Sequence, residues 1–293
     1  MKKFIKILVI FLIALELVAY LNVLAEDIKN NDVHAPYSNK IRLFEEVYAD
    51  CPNFVYNPFG KNYGLQYNAR PIVIFGDSAA YGEEVDEQFR ISPLLSEKVK
   101  RPVFNKSLGG WSVQHMYFQL NLEDLYNDIK NPEYVVFIYT PQMLRLMYAP
   151  NLCFPLKYTV KNGKLERVPH WVFKFCYSYT ISKINDAIAY YKAQNFDKAF
   201  DDFKIYLIES RKEAKKHWKD AKFVIIKYSD KTNKDNLEKW KELEKEGYTV
   251  IEMSDILGEY YSVDEKFCHQ GSYHPTNSVW QEALPEIINK MKI

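Results

Sequence analysis

Two residues far apart in the chain have the types that nucleophilic catalysis needs. Ser78 lies in Gly76-Asp77-Ser78-Ala79-Ala80, directly after the apolar run Ile72-Val73-Ile74-Phe75. A serine hydroxyl is a weak nucleophile at its free pKa and needs a neighbouring base to take its proton. Of the six histidines, five have ordinary structural readings. His34 lies in a polar lead-in, His115 and His217 in helical patterns, His170 in an insertion and His269 in a loop. His274 differs, because Pro275 and Thr276 after it read as the start of the terminal helix. The ends of parallel strands are where open α/β sheets bind ligands. Ser78 and His274 both fall there if the chain folds as such a sheet. Ser78 read alone is equally a cap for the helix that follows.

The elements that must position them are legible from residue 71 onward. Short apolar runs alternate with helical periodicity, the signature of a parallel α/β sheet. The expected strands are Pro71 to Phe75, Pro102 to Asn105, Tyr134 to Tyr139, Lys222 to Tyr228 and Tyr248 to Met253. "VVFIY" and "FVII" lack period-two alternation, as strands covered on both faces do. Helices are expected over Trp111 to Ile129, Asp235 to Glu246 and Asn277 to Lys290. An insertion at about 148–220 holds a hairpin turning at Asn162-Gly163 and then two amphipathic helices from Thr180 to Trp218 packed on the main domain.

The rest of the chain sets limits on partners and place. Of 293 residues, 47% are hydrophobic, enough for a large core, and the net charge of +1 argues against a general nucleic-acid surface. Four dispersed cysteines, Cys51, Cys153, Cys176 and Cys268, show no CxxC spacing, and no metal or cofactor is expected. The N-terminus places Lys2, Lys3 and Lys6 before an apolar run from Ile7 to Ala25. It reads as a signal peptide or an uncleaved membrane anchor over 1–25, with the N-terminus in the cytoplasm. An extracytoplasmic lead-in over 26–70 then precedes the domain at 71–293.

Three stretches together resemble a known family. "GDSAAYG" (Gly76 to Gly82), "NKSLGG" (Asn105 to Gly110) and "YHPTNSVW" (Tyr273 to Trp280) are similar, in order and placement, to blocks I, II and V of the SGNH/GDSL hydrolase superfamily. The resemblance covers roughly residues 70 to 293. It implies a flavodoxin-like three-layer sandwich with a central parallel five-stranded sheet, Ser78 as nucleophile, His274 as base, and ester or acyl-transfer chemistry. It also implies an oxyanion hole from the Ser78 N–H, the Gly110 N–H and the side chain at the block III asparagine position, which here is Gln142. The chain departs from the pattern twice. Thr140-Pro141-Gln142-Met143 stands where Gly-x-Asn-Asp is usual, and Gly271 stands where an aspartate three residues before the histidine usually holds the imidazole. A backbone carbonyl near Gln270 or Gly271, or Asp264, Glu265 or Asp255, is the expected substitute.

The expected function is that of an exported serine esterase or O-acyltransferase acting on acyl esters of an extracytoplasmic carbohydrate. Trp111 and Tyr273 are candidate substrate-stacking residues, with Trp171 beside them, and Arg145 is a candidate for an anionic substrate group. Its partners would be a small-molecule or polysaccharide acyl ester, the membrane through the N-terminal helix, and envelope-assembly proteins, with no nucleic acid. The alternative is a catalytically degenerate SGNH-like protein that binds carbohydrate or serves assembly. Export has its own test. A reporter that works only outside the cytoplasm, fused after residue 40, is expected to be active, and activity of a cytoplasm-only reporter there would overturn the localisation.

Overall fold

A computed structural model describes residues 61–148, 158–167, 179–229, 237–259, 261, 264–269 and 274–293. The N-terminal signal or anchor and most of the lead-in lie outside the described residues, as do Cys51, Cys153, Cys176, Trp171, Gly271 and Tyr273. Among the described residues no helix is long and apolar enough to cross a membrane, and no group of three or more His, Cys, Asp or Glu is placed to hold a metal.

Five parallel strands form the centre: β2 (Ile72–Phe75), β3 (Val103–Asn105), β4 (Tyr134–Tyr139), β7 (Lys222–Lys227) and β8 (Tyr248–Glu252). Their spatial order is β3-β2-β4-β7-β8. Counted along the parallel strands this is 2-1-3-4-5, the flavodoxin-like order, and the direction of progression reverses at the first strand. Ile72 pairs with Val103 on one side and Tyr134 on the other, so β2 is central. The sheet differs from the expected five strands at one edge. A two-residue strand, β1 (Asn62–Tyr63), joins β3 antiparallel. Its polar, short sequence carries no strand signal, and the unpaired edge of β3 recruits it.

Side chains alternate between two cores. Val73, Phe75, Val135, Phe137, Phe223 and Ile225 face one layer. Ile72, Ile74, Val136, Ile138, Val224 and Ile226 face the other. The first layer is covered by α3 (Val113–Gln119), α4 (Glu123–Asp128), α7 (Phe196–His217) and α8 (Leu237–Lys245). The second is covered by α2 (Ile91–Val99) and α10 (Asn277–Met291). Smaller helices α1 (Ser78–Tyr81), α5 (Gln142–Leu146) and α9 (Ser254–Leu257) follow β2, β4 and β8. This is the three-layer α/β sandwich.

Two helix expectations need correction. The helix expected over Trp111 to Ile129 is two, because the Asn121 side-chain amide donates to the Tyr117 carbonyl at 2.7 Å. Leu122 N–H closes a tighter turn onto Gln119, ending α3 early. The insertion is also shorter than expected. Phe200, Phe203, Tyr206 and Leu207 of α7 lie in the first core, so α7 is the crossover helix between β4 and β7. Among the described residues, what is inserted is the hairpin of β5 (Tyr158–Lys161) and β6 (Lys164–Arg167), plus α6 (Tyr179–Gln194). The hairpin turns at Asn162 and Gly163, whose φ values of 52° and 74° are those of a type I′ turn.

Trp280 of α10 is 0% exposed in the second core, whereas Tyr191 of α6 is 76% exposed. Trp280→Ala is expected to destabilise the domain by about 3–5 kcal/mol, and Tyr191→Ala by less than about 0.5 kcal/mol, as read from urea unfolding midpoints. Equal effects would contradict this packing.

Candidate active site

The site is assembled at the carboxyl ends of β2, β3 and β4. Chain reversal after β2 requires a close approach. A Cβ on Gly76 would come within 2.4 Å of the Ala80 Cβ, so only glycine lets α1 start this close to the strand end. Asp77 caps α1, accepting from the Ala79 N–H at 3.0 Å. Ser78 is then the first helical residue, 4% exposed. Asn105, at the end of β3, donates to the Ala80 carbonyl and to Ser92 Oγ at 2.8 Å each and accepts from the Ser107 N–H. It holds the turn of α1 against the loop after β3. Leu108 N–H donates to the Gly76 carbonyl, which brings the Gly109-Gly110 segment beside the nucleophile turn. Gly110 has φ 76°, a left-handed conformation suited to glycine.

The histidine arrives from the other end of the chain. His274 accepts at its carbonyl from the His269 N–H at 2.9 Å, and Cys268 bridges Pro275 in antiparallel register. This short ladder fixes His274 immediately before α10. Its Nε2 lies 3.0 Å from Ser78 Oγ. Sequence reasoning placed these two together, and the structure has them in hydrogen-bonding contact.

Beneath Ser78 lies a buried carboxyl group. Asp77 is 0% exposed, and its Oδ2 accepts from the Thr140 hydroxyl and from Gln142 Nε2, the latter at 2.8 Å. Burial is the largest influence and raises the Asp77 pKa, opposed by the bonds from Thr140, Gln142 and Ala79. Gln142 is therefore anchored to the residue next to the nucleophile, and its amide has a second N–H beyond that bond.

Two glutamates that sequence reasoning passed over flank the imidazole. Glu84 Oε1 lies 3.1 Å from His274 Nδ1, a close contact rather than an in-line hydrogen bond. Glu83 Oε2 lies 3.7 Å from Nε2. Glu83 also lies over the glycine loop, since a Cβ on Gly109 would meet its Oε1 at 2.0 Å. Burial raises the Glu83 pKa, and the charge of His274 opposes that rise. The signal was present directly after "GDSAAYG", as the Glu83-Glu84 pair two residues past α1.

Other expected residues fare differently. Asp264 Oδ1 accepts from the Lys266 N–H within its own turn. Trp111 is 2% exposed and stacks on His115 at 5.3 Å, so its ring packs in the interior and is no platform for a sugar. His115 accepts from the Ser112 N–H as part of the cap of α3. Arg145 is exposed on α5. Tyr273, Gln270 and Gly271 lie outside the described residues. Cys268 is buried with a free thiol.

No family model matches the chain, and no curated protein does. Solved structures do. An acetyl xylan esterase from the rumen bacterium Butyrivibrio proteoclasticus aligns at 11% identity and TM-score 0.41, over 77% of this chain and 64% of that one. The chain thus spans less than two thirds of that esterase. A G-D-S-L family lipolytic protein from Veillonella parvula aligns at 14% identity and TM-score 0.45, over 75% of this chain and 97% of that one. A lipase from a goat rumen metagenome aligns at 10% identity and TM-score 0.45, over 76% and 97%. Alignments this distant leave the chemistry to be read from the site's own residues.

The anchored amide of Gln142 can be tested directly. Removing one oxyanion donor costs about 10²–10³ in kcat. Gln142→Ala is expected to lower ester turnover by that factor, and an unchanged rate would show that the amide serves Asp77 alone.

Proposed function

We propose that this protein is a serine esterase or O-acyltransferase of the SGNH type, working through an acyl-enzyme on Ser78. The observation that carries the reading is the 3.0 Å contact between Ser78 Oγ and His274 Nε2 at the switch point of the sheet. In the first step Ser78 Oγ attacks the ester carbonyl while Nε2 takes the hydroxyl proton. The carbonyl oxygen becomes an oxyanion, for which the Ser78 N–H, the Gly110 N–H and the Gln142 amide are the donors. Collapse expels the alcohol, which leaves with the proton from Nε2. The acyl-enzyme is then resolved by water in hydrolysis, or by a sugar hydroxyl in transfer, with His274 again as base.

The substrate class comes from the family resemblance together with the Lys-rich, apolar N-terminus. On that footing the substrate is an acyl ester of an extracytoplasmic carbohydrate, met by a protein that is secreted or anchored in the cell membrane. Absence of an aspartate at Gly271 favoured the alternative of a degenerate binding module. The proximity of a serine hydroxyl to a histidine ring nitrogen supports catalysis over that alternative.

Ser78→Ala and His274→Ala are each expected to abolish most turnover of a short acyl ester. Members of a nucleophile–base unit fail together, so the double variant should be little worse than either single one. Near-normal turnover by Ser78→Ala would remove the serine-hydrolase reading.

A further inference from the structure

We infer that Glu84 is the positioning acid of His274, so that the carboxylate missing from the histidine's own loop comes from the nucleophile's loop instead. The inference rests on Ser78 and His274 acting as nucleophile and base. An imidazole that accepts a proton at Nε2 must carry its other proton on Nδ1, and a neutral ring left alone divides between the two tautomers. Glu84 Oε1 lies 3.1 Å from Nδ1, and its negative charge there favours the Nδ1–H tautomer, which leaves the Nε2 lone pair for Ser78 Oγ at 3.0 Å. The same negative charge stabilises the imidazolium that forms during acylation. Glu83 stands on the other side, 3.7 Å from Nε2. Of the two glutamates, Glu84 is the one that faces Nδ1, the nitrogen that sets the tautomer.

The backbone carries independent evidence. Glu84 has φ 60°, a left-handed conformation that a residue with a Cβ adopts at a cost. Such strain, where it persists, points to a constraint imposed by function. Here the constraint is visible on both sides. Gly82 leaves α1 with φ 84°, and a Cβ there would meet the Arg90 side chain at 2.6 Å. The Arg90 guanidinium donates to the Val85 carbonyl at 3.1 Å. Beyond Glu84, Asp86 and Asn277 exchange two hydrogen bonds, Asp86 N–H to Asn277 Oδ1 at 2.9 Å and Asn277 Nδ2 to Asp86 Oδ2 at 2.7 Å. Asn277 begins α10, three residues after His274. The clamp therefore ties the glutamate loop directly to the segment that carries the base.

Exposure sets the expected size of the effect. The Glu84 side chain is 44% exposed and that of His274 19%, so solvent screens the pair more than it does a buried triad aspartate. Removing the charge of a buried one costs about 10⁴ in kcat. For Glu84→Gln a fall of roughly 10²–10³ with little change in KM is expected, between that value and no effect.

The test measures kcat, melting temperature and the proton spectrum of nitrogen-labelled protein. Wild type should show the His274 ring proton on Nδ1, and Glu84→Gln should lose or shift that resonance. Glu84→Gly relieves the left-handed strain, so it should lose the same activity without melting lower than wild type. Asp264→Asn, whose carboxylate accepts from the Lys266 N–H in its own turn, should stay within about threefold of wild type, well short of the loss from removing a triad acid. The inference is overturned if Glu84→Gln and Glu84→Gly keep wild-type kcat and the Nδ1 resonance is unchanged. If wild type itself shows no turnover, the serine-hydrolase reading fails, and the resonance alone then decides the role of Glu84.

Discussion

Ser78 Oγ and His274 Nε2 lie 3.0 Å apart across 196 positions of sequence, and the energetics show what brings them there. A single hydrogen bond contributes about 0.5–1.5 kcal/mol net. Burying one large apolar side chain contributes about 1.5–3 kcal/mol. Behind His274, α10 buries Val279, Trp280, Leu284 and Ile287 in the second core together with Ile72 and Ile74 of β2. The strand that delivers the serine and the helix that follows the histidine thus share one apolar core. The polar contact is the consequence of that packing, and every other feature of the site depends on it.

A second constraint is the burial of Asp77. Taking a carboxylate out of water costs more than most single interactions return unless it is well satisfied. Here the Ala79 N–H, the Thr140 hydroxyl and the Gln142 amide all converge on it. These donors come from the start of α1 and the end of β4, so the carboxyl group ties together the two strand ends that border the switch point. It also explains the departure from the usual block III pattern. Thr140 and Gln142 are the two residues of Thr-Pro-Gln whose side chains can donate, and both do so to Asp77.

Much of this was legible in the sequence. The runs Tyr134 to Tyr139 and Lys222 to Tyr228 lack alternation because both faces are covered, and they form adjacent parallel strands. The Asn162-Gly163 turn formed as its residue types require. Other features were illegible for physical reasons. β1 has no propensity of its own and is recruited by a neighbouring edge. The end of α3 is set by one side-chain amide at Asn121 competing for a backbone carbonyl. Trp111 invites a role at a surface, yet its position beside the glycine loop turns the ring inward. The contact of Glu84 with His274 has no signal among the histidine's neighbours in sequence. That approach to His274 depends on a left-handed backbone at Glu84 and on the Asp86–Asn277 clamp, and neither is encoded in residue spacing.

The central claim is that Ser78 is activated by His274. The most direct measurement is peptide mapping of the protein after reaction with a fluorophosphonate, which labels an activated serine irrespective of substrate. The account predicts a single phosphonyl adduct on the peptide bearing Ser78, with labelling strongly slowed in His274→Ala. An adduct on a different serine, no adduct under conditions that label a control serine hydrolase, or labelling of Ser78 at an undiminished rate without His274 would contradict it.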